Sequence, residues 1–321
     1  MNSSIVLLPN WIGDMLLALS MVMRLAENRR SNTTLLVPEQ MVGLVSMLCD
    51  LPRIEFLRNN AEARKHTVRA VQSGRFHTLY LLPFSFSSAW FAMKTGVPVR
   101  RGLSKEMRRF LLTDSLSGSI RDKSHHITRE YAKILDMPYC PPEEWNGILV
   151  TPDKTYAGSI VYCPGAAYGA AKKWPYFSEL AKLHKCYNIV VLGTCEDRQS
   201  ALEISRMAPG RITDLTGKTS LAEAAAIMSG ARAVVSNDSG LMHLAAYIGT
   251  PVIGLFGSTS PVWTRPLGTR SIAMNVAEPC APCFDRVCRY QHYRCLENIT
   301  PLAVAKTIED LFREEKFQLR Y

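Results

Sequence analysis

Residues 231–257 constrain the fold more than any other stretch of this chain. Positions 231–235 are a short apolar run rich in Ala and Val, and Asp238-Ser239-Gly240 follows it. A run of mostly apolar residues then reaches Gly249, Thr250-Pro251 breaks it, and a second apolar run, 252–256, ends at Gly257. Short, unbroken apolar runs between turn residues read as strands buried on both faces, as in parallel sheets. Asp238 is a good N-cap residue, so the pattern predicts a helix from there to about Gly249. The result is a strand–helix–strand unit whose small residues bring backbone N–H groups to the mouth of a parallel sheet. A helix N-terminus carries partial positive charge and unpaired donors, and so suits a phosphate or a ribose. Ser239 and His243 stand at i and i+4 and share one side of the first turn. A plain crossover helix has no need of Asp-Ser-Gly followed by His. The residues favour a ligand site over a capped helix with a core histidine.

The same alternation runs along the rest of the chain. Positions 4–8 form an apolar strand, followed by Pro9-Asn10-Trp11-Ile12-Gly13-Asp14 and a Leu- and Met-rich helix over about 15–28. Strands are expected at 33–37, 54–57 and 78–82, with helices at 39–48 and near 61–72. His125-His126 precede a helix to about 135; two histidines alone do not make a metal site. Further strands are expected at 159–163 and 188–192, with helices at about 176–185, from 193–197 to 207, and at 221–229, the last capped by Thr219 or Ser220. Strands alternating with helices of about 10–15 residues make βαβ units and a mostly parallel sheet. Pro138, Pro141, Pro142 and Pro152 punctuate a stretch of little periodicity, which places a linker at about 138–157.

The fold class expected is therefore α/β, with two Rossmann-like doubly wound domains at 1–150 and 151–299. Thr300-Pro301 opens a terminal helix within 300–321. In such sheets ligands bind at the carboxyl ends of the strands. In the second half the loops 164–175, 193–197, 216–220, 236–243 and 257–260 all border strand ends. Neither half has Gly-x-Gly-x-x-Gly after its first strand or a Walker lysine motif, which disfavours a nicotinamide-dependent dehydrogenase or a nucleoside triphosphatase.

Charge and composition narrow the partners. A net charge of +10 points to an anionic partner: nucleic acid, anionic lipid head groups or phosphorylated glycans. The chain has no Lys/Arg tract and no basic motif interleaved with aromatics, which makes nucleic acid the weakest of the three. Arg100, Arg101, Lys105, Arg108 and Arg109 face only one acid, Glu106, and form either a solvated surface or a docking face for a phosphorylated or carboxylated acceptor. The apolar run 11–25 is interrupted by Asp14, lacks a basic lead-in and lacks a small-residue cleavage site. No run approaches the ~20 apolar residues of a membrane span. These features lead us to expect a cytoplasmic protein, and the scattered Cys49, Cys140, Cys163, Cys186 and Cys195 fit small core residues in a reducing compartment.

Several of these pieces, in this order, resemble the ADP-heptose:lipopolysaccharide heptosyltransferases of glycosyltransferase family nine, and their heptosyltransferase II branch most closely. They are Pro9-Asn10-Trp11-Ile12-Gly13-Asp14, Pro164-Gly165-Ala166-Ala167-Tyr168-Gly169-Ala170-Ala171-Lys172-Lys173-Trp174-Pro175, Asp214-Leu215-Thr216-Gly217 and Asn237-Asp238-Ser239-Gly240-Leu241-Met242-His243. Cys280-Ala281-Pro282-Cys283 with Cys288 and Cys295 resembles the branch's C-terminal pattern. In the donor loop Ala167 departs from the branch, whose members often have Glu at that place. The resemblance implies a GT-B fold with an acceptor domain first, an ADP-sugar domain second, an active-site cleft between them and a terminal helix returning to the first domain.

The resemblance also implies inverting transfer of heptose from ADP-L-glycero-D-manno-heptose to a heptose of the lipopolysaccharide inner core; the alternatives are a GT-B transferase of the same family using another nucleotide sugar and a non-catalytic nucleotide- or glycan-binding protein. Such a displacement needs a base for the acceptor hydroxyl and positive charge for the leaving diphosphate. By resemblance Asp14, beside Gly13, is the base; an Asp stabilised by the helix dipole is its structural alternative. Lys172 matches the phosphate-contacting lysine, with Tyr168 in the same loop, and Lys173 is expected to face solvent. The helix start at Asp238, Ser239 and Gly240 supplies backbone donors, and His243 matches a histidine near the donor phosphates. Glu196 or Asp197 meets the ribose, and Thr219 lies where the family's backbone contacts adenine. No Asp-x-Asp occurs, so no metal is expected in catalysis. Cys280, Cys283, Cys288 and Cys295, with His292 among them, leave three states open: a structural zinc, disulfides or reduced thiols. The implied acceptor is a lipid-anchored Kdo-lipid A inner core, and the implied location is peripheral, on the inner face of a Gram-negative inner membrane.

Overall fold

The computed structural model describes residues 3–318 apart from positions 59, 106, 119 and 121, with side chains described as far as residue 313. Glu106, the single acid of the basic segment, lies outside the described residues. The chain divides into two compact units, residues 1–141 and 142–321.

The first unit carries six strands: β1 (Ser4–Leu7), β2 (Thr33–Pro38), β3 (Arg53–Phe56), β4 (Thr78–Leu81), β5 (Val99–Leu103) and β6 (Asp114–Leu116). They form one parallel sheet in the order β3-β2-β1-β4-β5-β6. Its helices are α1 (Ile12–Met23), α2 (Glu27–Arg30), α3 (Val42–Leu48), α4 (Ala61–Ser73), α5 (Phe86–Thr95) and α6 (Thr128–Ile134). Ile5, Leu7, Leu36, Leu79 and Leu81 from the central strands pack with Val71, Ala89 and Phe91 from α4 and α5 in one core.

The second unit repeats the plan. Strands β7 (Ile160–Cys163), β8 (Ile189–Val191), β9 (Ile212–Asp214), β10 (Ala233–Asn237), β11 (Val252–Phe256) and β12 (Ser271–Asn275) form a parallel sheet in the order β12-β11-β10-β7-β8-β9. Its helices are α7 (Phe177–Leu183), α8 (Arg198–Met207), α9 (Leu221–Gly230), α10 (Gly240–Tyr247), α11 (Pro261–Thr264), α12 (Arg294–Glu297) and α13 (Pro301–Gln318). Every residue of β7, β10 and β11 is buried, which explains why those strands are apolar apart from Ser236 and Asn237 at the end of β10. Both sheets have the doubly wound order, in which strand order reverses beside the first strand of each unit and opens a crevice at the carboxyl ends. The crevices fall between β1 and β4 and between β7 and β10.

Three sequence expectations are adjusted. The boundary lies at 141/142 rather than 150/151, because residues 142–147 are tied to the second unit. Trp145 Nε1 donates to the Tyr247 carbonyl at 2.7 Å, and the Gly268 amide donates to the Pro142 carbonyl at 2.8 Å. The terminal helix was expected to pack on the first domain. Instead its described side chains Val304, Ala305, Ile308, Leu311 and Phe312 are buried in the second unit's core beside Leu180 of α7. Helix α5 escaped the sequence pattern because polar and apolar residues are mixed on both faces: Ser88 and Thr95 are buried, whereas Phe86 and Trp90 are exposed. Ser85 caps it by accepting from the Ser88 amide at 3.3 Å, and Gly96 ends it in the left-handed region at φ +71°.

Candidate active site

The loop after β7 crosses the end of β10 and is stitched there by Asn237. That side chain is wholly buried; its Oδ1 accepts from the Trp174 amide at 3.0 Å and its Nδ2 donates to the Pro164 carbonyl at 2.6 Å. Gly169 makes the turn possible. Its φ of +143° excludes ordinary side chains, and a Cβ there would lie 2.4 Å from the Arg286 carbonyl oxygen.

The loop delivers Lys172 to Asp238, whose carboxylate is 4 % exposed. Lys172 Nζ lies 2.5 Å from Asp238 Oδ2, and the Thr259 hydroxyl, from the loop after β11, donates to the same oxygen at 2.6 Å. Loops following β7, β10 and β11 thus meet on one carboxylate at the crevice of the second unit. A buried carboxylate needs this company, because removing one partner of a buried pair costs about 3–5 kcal/mol. The ammonium has three donors, and Asp238 takes only part of that capacity. Tyr168 is close to two cations, with Lys172 Nζ 4.8 Å and the Arg286 guanidinium 5.3 Å from its ring centre. Its hydroxyl donates to the Phe284 carbonyl. Lys173 is exposed, as expected.

Asp238 is not the helix cap that the sequence suggested. Its carboxylate is engaged with Lys172 and Thr259, and Ser239 takes the N-cap position with extended backbone and no side-chain cap bond. The Ser239 hydroxyl pairs instead with Ser236 Oγ at 3.2 Å. The first turn of α10, opened by Gly240, therefore presents its backbone donors without a capping side chain. His243, on that turn, is buried. Its Nε2 is 4.0 Å from Asp238 Oδ1, too far for a hydrogen bond, and Nδ1 has no partner among the described residues. Burial lowers its pKa to about 4; Asp238 opposes the shift and Lys172 adds to it. The ring is neutral at physiological pH, so its contact with Asp238 is not an ion pair. Ser258 Oγ, in the loop after β11, is likewise buried with no partner among the described residues.

The acids after β8 separate clearly. Asp197 is buried and accepts from the Thr194 amide at 2.9 Å and its hydroxyl at 3.0 Å. It also fills the space beside Gly165, where a Cβ would fall 2.4 Å from Asp197 Oδ2. Glu196 is exposed. Thr219 is partly buried next to Ser220, which caps α9 in a reciprocal box with Glu223.

In the first unit Gly13 and Asp14 are partly buried in the first turn of α1, after β1 and beside that sheet's crevice. Trp11, at the N-cap, makes no side-chain cap bond. Burial raises the pKa of the Tyr131 hydroxyl well above the usual tyrosine value, and the nearby Asp14 carboxylate adds to the rise.

The basic segment is mostly structural. Arg108 is wholly buried and donates to the carbonyls of Leu103, Pro83 and Ser85 and to Ser88 Oγ at 2.7–3.1 Å, so it is not a surface docking group. Arg100 donates to the Leu111 and Val97 carbonyls, and Arg101 pairs with Asp114 and Asp136. Lys105 is partly buried and Arg109 exposed.

Sequence reading missed Asn237 and Thr259 as site residues, although a polar residue ending a fully buried strand was a usable signal for the first. It also missed the role of segment 284–286. The Phe284 amide donates to the Ser258 carbonyl at 2.7 Å, and the Ala171 amide to the Arg286 carbonyl at 3.0 Å. The cysteine-rich loop that carries this segment thus braces the lysine loop. Its four thiols are free and line one narrow cavity with His292. Burial raises Cys295 to about 11, and the three other cysteines add to the rise. Among the described residues no three His, Cys, Asp or Glu side chains are grouped as a metal ion requires.

Two tandem doubly wound sheets, the second with cationic and amide donors at its switch point, define the architecture of a GT-B nucleotide-sugar glycosyltransferase. The chain belongs to glycosyltransferase family 9 (heptosyltransferase), whose model matches residues 64–294. It is 28% identical to lipopolysaccharide heptosyltransferase 2 of Escherichia coli strain K12, over 96% of this chain and 98% of that one. It is 29% identical to lipooligosaccharide heptosyltransferase 2 of Haemophilus influenzae, over 84% and 87%. The solved structure of E. coli ADP-heptose lps heptosyltransferase II matches with a TM-score of 0.81 at 25% identity, covering 98% of this chain and 99% of that one.

Proposed function

We propose that the protein transfers heptose from ADP-L-glycero-D-manno-heptose to a heptose of the lipopolysaccharide inner core, with inversion at the anomeric carbon. The observation that carries this reading is the meeting of Lys172, Asp238 and Thr259 at the switch point of the second sheet, beside an uncapped helix start. As the anomeric bond breaks, negative charge grows on the departing ADP. Lys172 and the first-turn amides of α10 are preorganised donors for that charge. Asp238, itself fixed by the Thr259 hydroxyl, holds the ammonium in place, and neutral His243 offers a hydrogen-bonding ring that adds no charge of its own. Glu196, exposed where Asp197 is committed, is the acid for the ribose hydroxyls, and the backbone at Thr219 is assigned to adenine. Asp14 takes the proton of the acceptor hydroxyl as that oxygen attacks the sugar.

This chemistry draws its positive charge from side chain and backbone. The acceptor is an anionic, lipid-anchored oligosaccharide of the Kdo-lipid A type, which the enzyme meets from the inner face of the inner membrane. No described helix is long and apolar enough to span a bilayer, so the reading uses peripheral contact.

The test is a donor series, measuring release of nucleoside diphosphate in the presence of a heptose-bearing inner-core acceptor. ADP-heptose is expected to exceed ADP-mannose, ADP-glucose and UDP-sugars by at least 100-fold in kcat/KM. A UDP-sugar turned over faster than ADP-heptose would contradict the reading.

A further inference from the structure

Helix α5 carries Phe86, Trp90 and Lys94 at i, i+4 and i+8, one outward stripe over about two turns. Phe86 and Trp90 are 40 % and 46 % exposed, and their rings stack with centres 6.4 Å apart. Phe110, 71 % exposed, comes from the segment after β5 and sets its ring 6.2 Å from Phe86. Met107 in the same segment is 88 % exposed. Lys94 Nζ lies 5.0 Å from the centre of the Trp90 ring, and Arg109, next to Phe110, is exposed. No acid occurs in residues 86–95.

The cluster is held rigidly. Ser88, Ala89, Phe91, Ala92 and Thr95 bury the opposite face of α5. Arg108 ties the segment carrying Met107 and Phe110 to the start of α5 through Pro83, Ser85 and Ser88. β1, β4 and β5 are consecutive parallel strands of the sheet, and the segments after all three leave the same edge. The aromatic cluster therefore begins on the edge that carries Asp14.

We infer that Phe86, Trp90, Met107 and Phe110, flanked by Lys94 and Arg109, dock the enzyme on an anionic lipid bilayer. Exposed Trp and Phe beside cations match the chemistry of the headgroup boundary. The rings enter the acyl edge, and the lysine and arginine reach up to phosphates. Lys94 and Arg109, with no acid on α5 to offset them, complement a surface of lipid phosphates. The inference rests on the proposed function only in that a lipid-anchored acceptor gives the docking a purpose.

The test uses the full chain with sucrose-loaded vesicles of phosphatidylethanolamine and phosphatidylglycerol, or of phosphatidylcholine alone. Wild type is expected to co-sediment with the anionic vesicles and to bind phosphatidylcholine at least tenfold more weakly. Trp90→Ser with Phe110→Ser is expected to weaken anionic-vesicle binding at least tenfold and to keep turnover of a delipidated, water-soluble acceptor within threefold. Lys94→Glu, a single surface change, is expected to weaken vesicle binding at least threefold. Unchanged vesicle binding in the aromatic double variant would overturn the inference. So would retained vesicle binding with lost turnover of the soluble acceptor, which would make the rings a sugar platform. Vesicle binding needs no donor and no turnover, so it fails or succeeds independently of the proposed reaction.

Discussion

At the scale of single residues, the second unit's site is a set of buried polar groups, each with a stated partner or lack of one. Asp238 and His243 were legible in the sequence because an Asp-Ser-Gly followed by His has no place in a plain crossover helix, whereas Lys172 was singled out by the family resemblance alone. The role of Asp238 was not, because capping is a local property whereas its partners Lys172 and Thr259 arrive from distant loops. Buried neutral histidines have a consequence for stability. Burial lowers both His243 and His184 to about 4, with Arg211 adding to the shift at His184. Both stay neutral in the folded chain while the unfolded chain takes up protons near pH 6.5. Their stabilising contribution is complete above that value and is lost as pH falls towards 4. Between pH 7.5 and 5.5 each is expected to cost about 1 kcal/mol, before carboxylates begin to titrate. Urea unfolding at the two pH values checks this, with His184→Gln predicted to remove about half of the loss. Equal loss in wild type and variant would contradict it.

At the scale of elements, the loops after the strands divide between building the site and offering groups to a ligand. Glu196 and Asp197 are adjacent and chemically alike, so sequence left the choice open. Packing favours Glu196 in the proposed reading, because Asp197 is locked against Gly165, Gly193 and Thr194 while Glu196 is exposed. Glu196→Gln is expected to raise the KM for the ADP-sugar about tenfold and leave the melting temperature within 1–2 °C, as surface changes do. Asp197→Ala leaves the Thr194 amide without its acceptor and is expected to lower stability by about 1–3 kcal/mol. Differential scanning fluorimetry and steady-state kinetics on the pair separate the roles; a destabilised Glu196→Gln with unchanged KM would reverse the assignment. The basic segment gives the opposite lesson. Five cations within ten residues looked like one surface, yet Arg108 is an internal strut and Arg101 an ion-paired one, since charge spacing along a loop does not reveal which way each side chain turns.

At the scale of the whole molecule, the two doubly wound units were legible because buried parallel strands leave short apolar runs that periodicity can detect. Their boundary and the home of α13 were not, because both depend on which core an apolar face finds. Trp145 beside Tyr247, and Phe312 beside Tyr187, are contacts between residues more than a hundred positions apart. The central proposal for this family 9 chain is that Asp14 takes the acceptor proton and Lys172 meets the leaving ADP. The measurement that bears on it most directly is acceptor-dependent ADP release from ADP-heptose by wild type and by Asp14→Asn, with ADP binding followed in parallel. Loss of a general base predicts a fall in kcat of at least two orders of magnitude with ADP affinity unchanged. Turnover by Asp14→Asn at the wild-type rate would remove Asp14 from the mechanism and contradict the account.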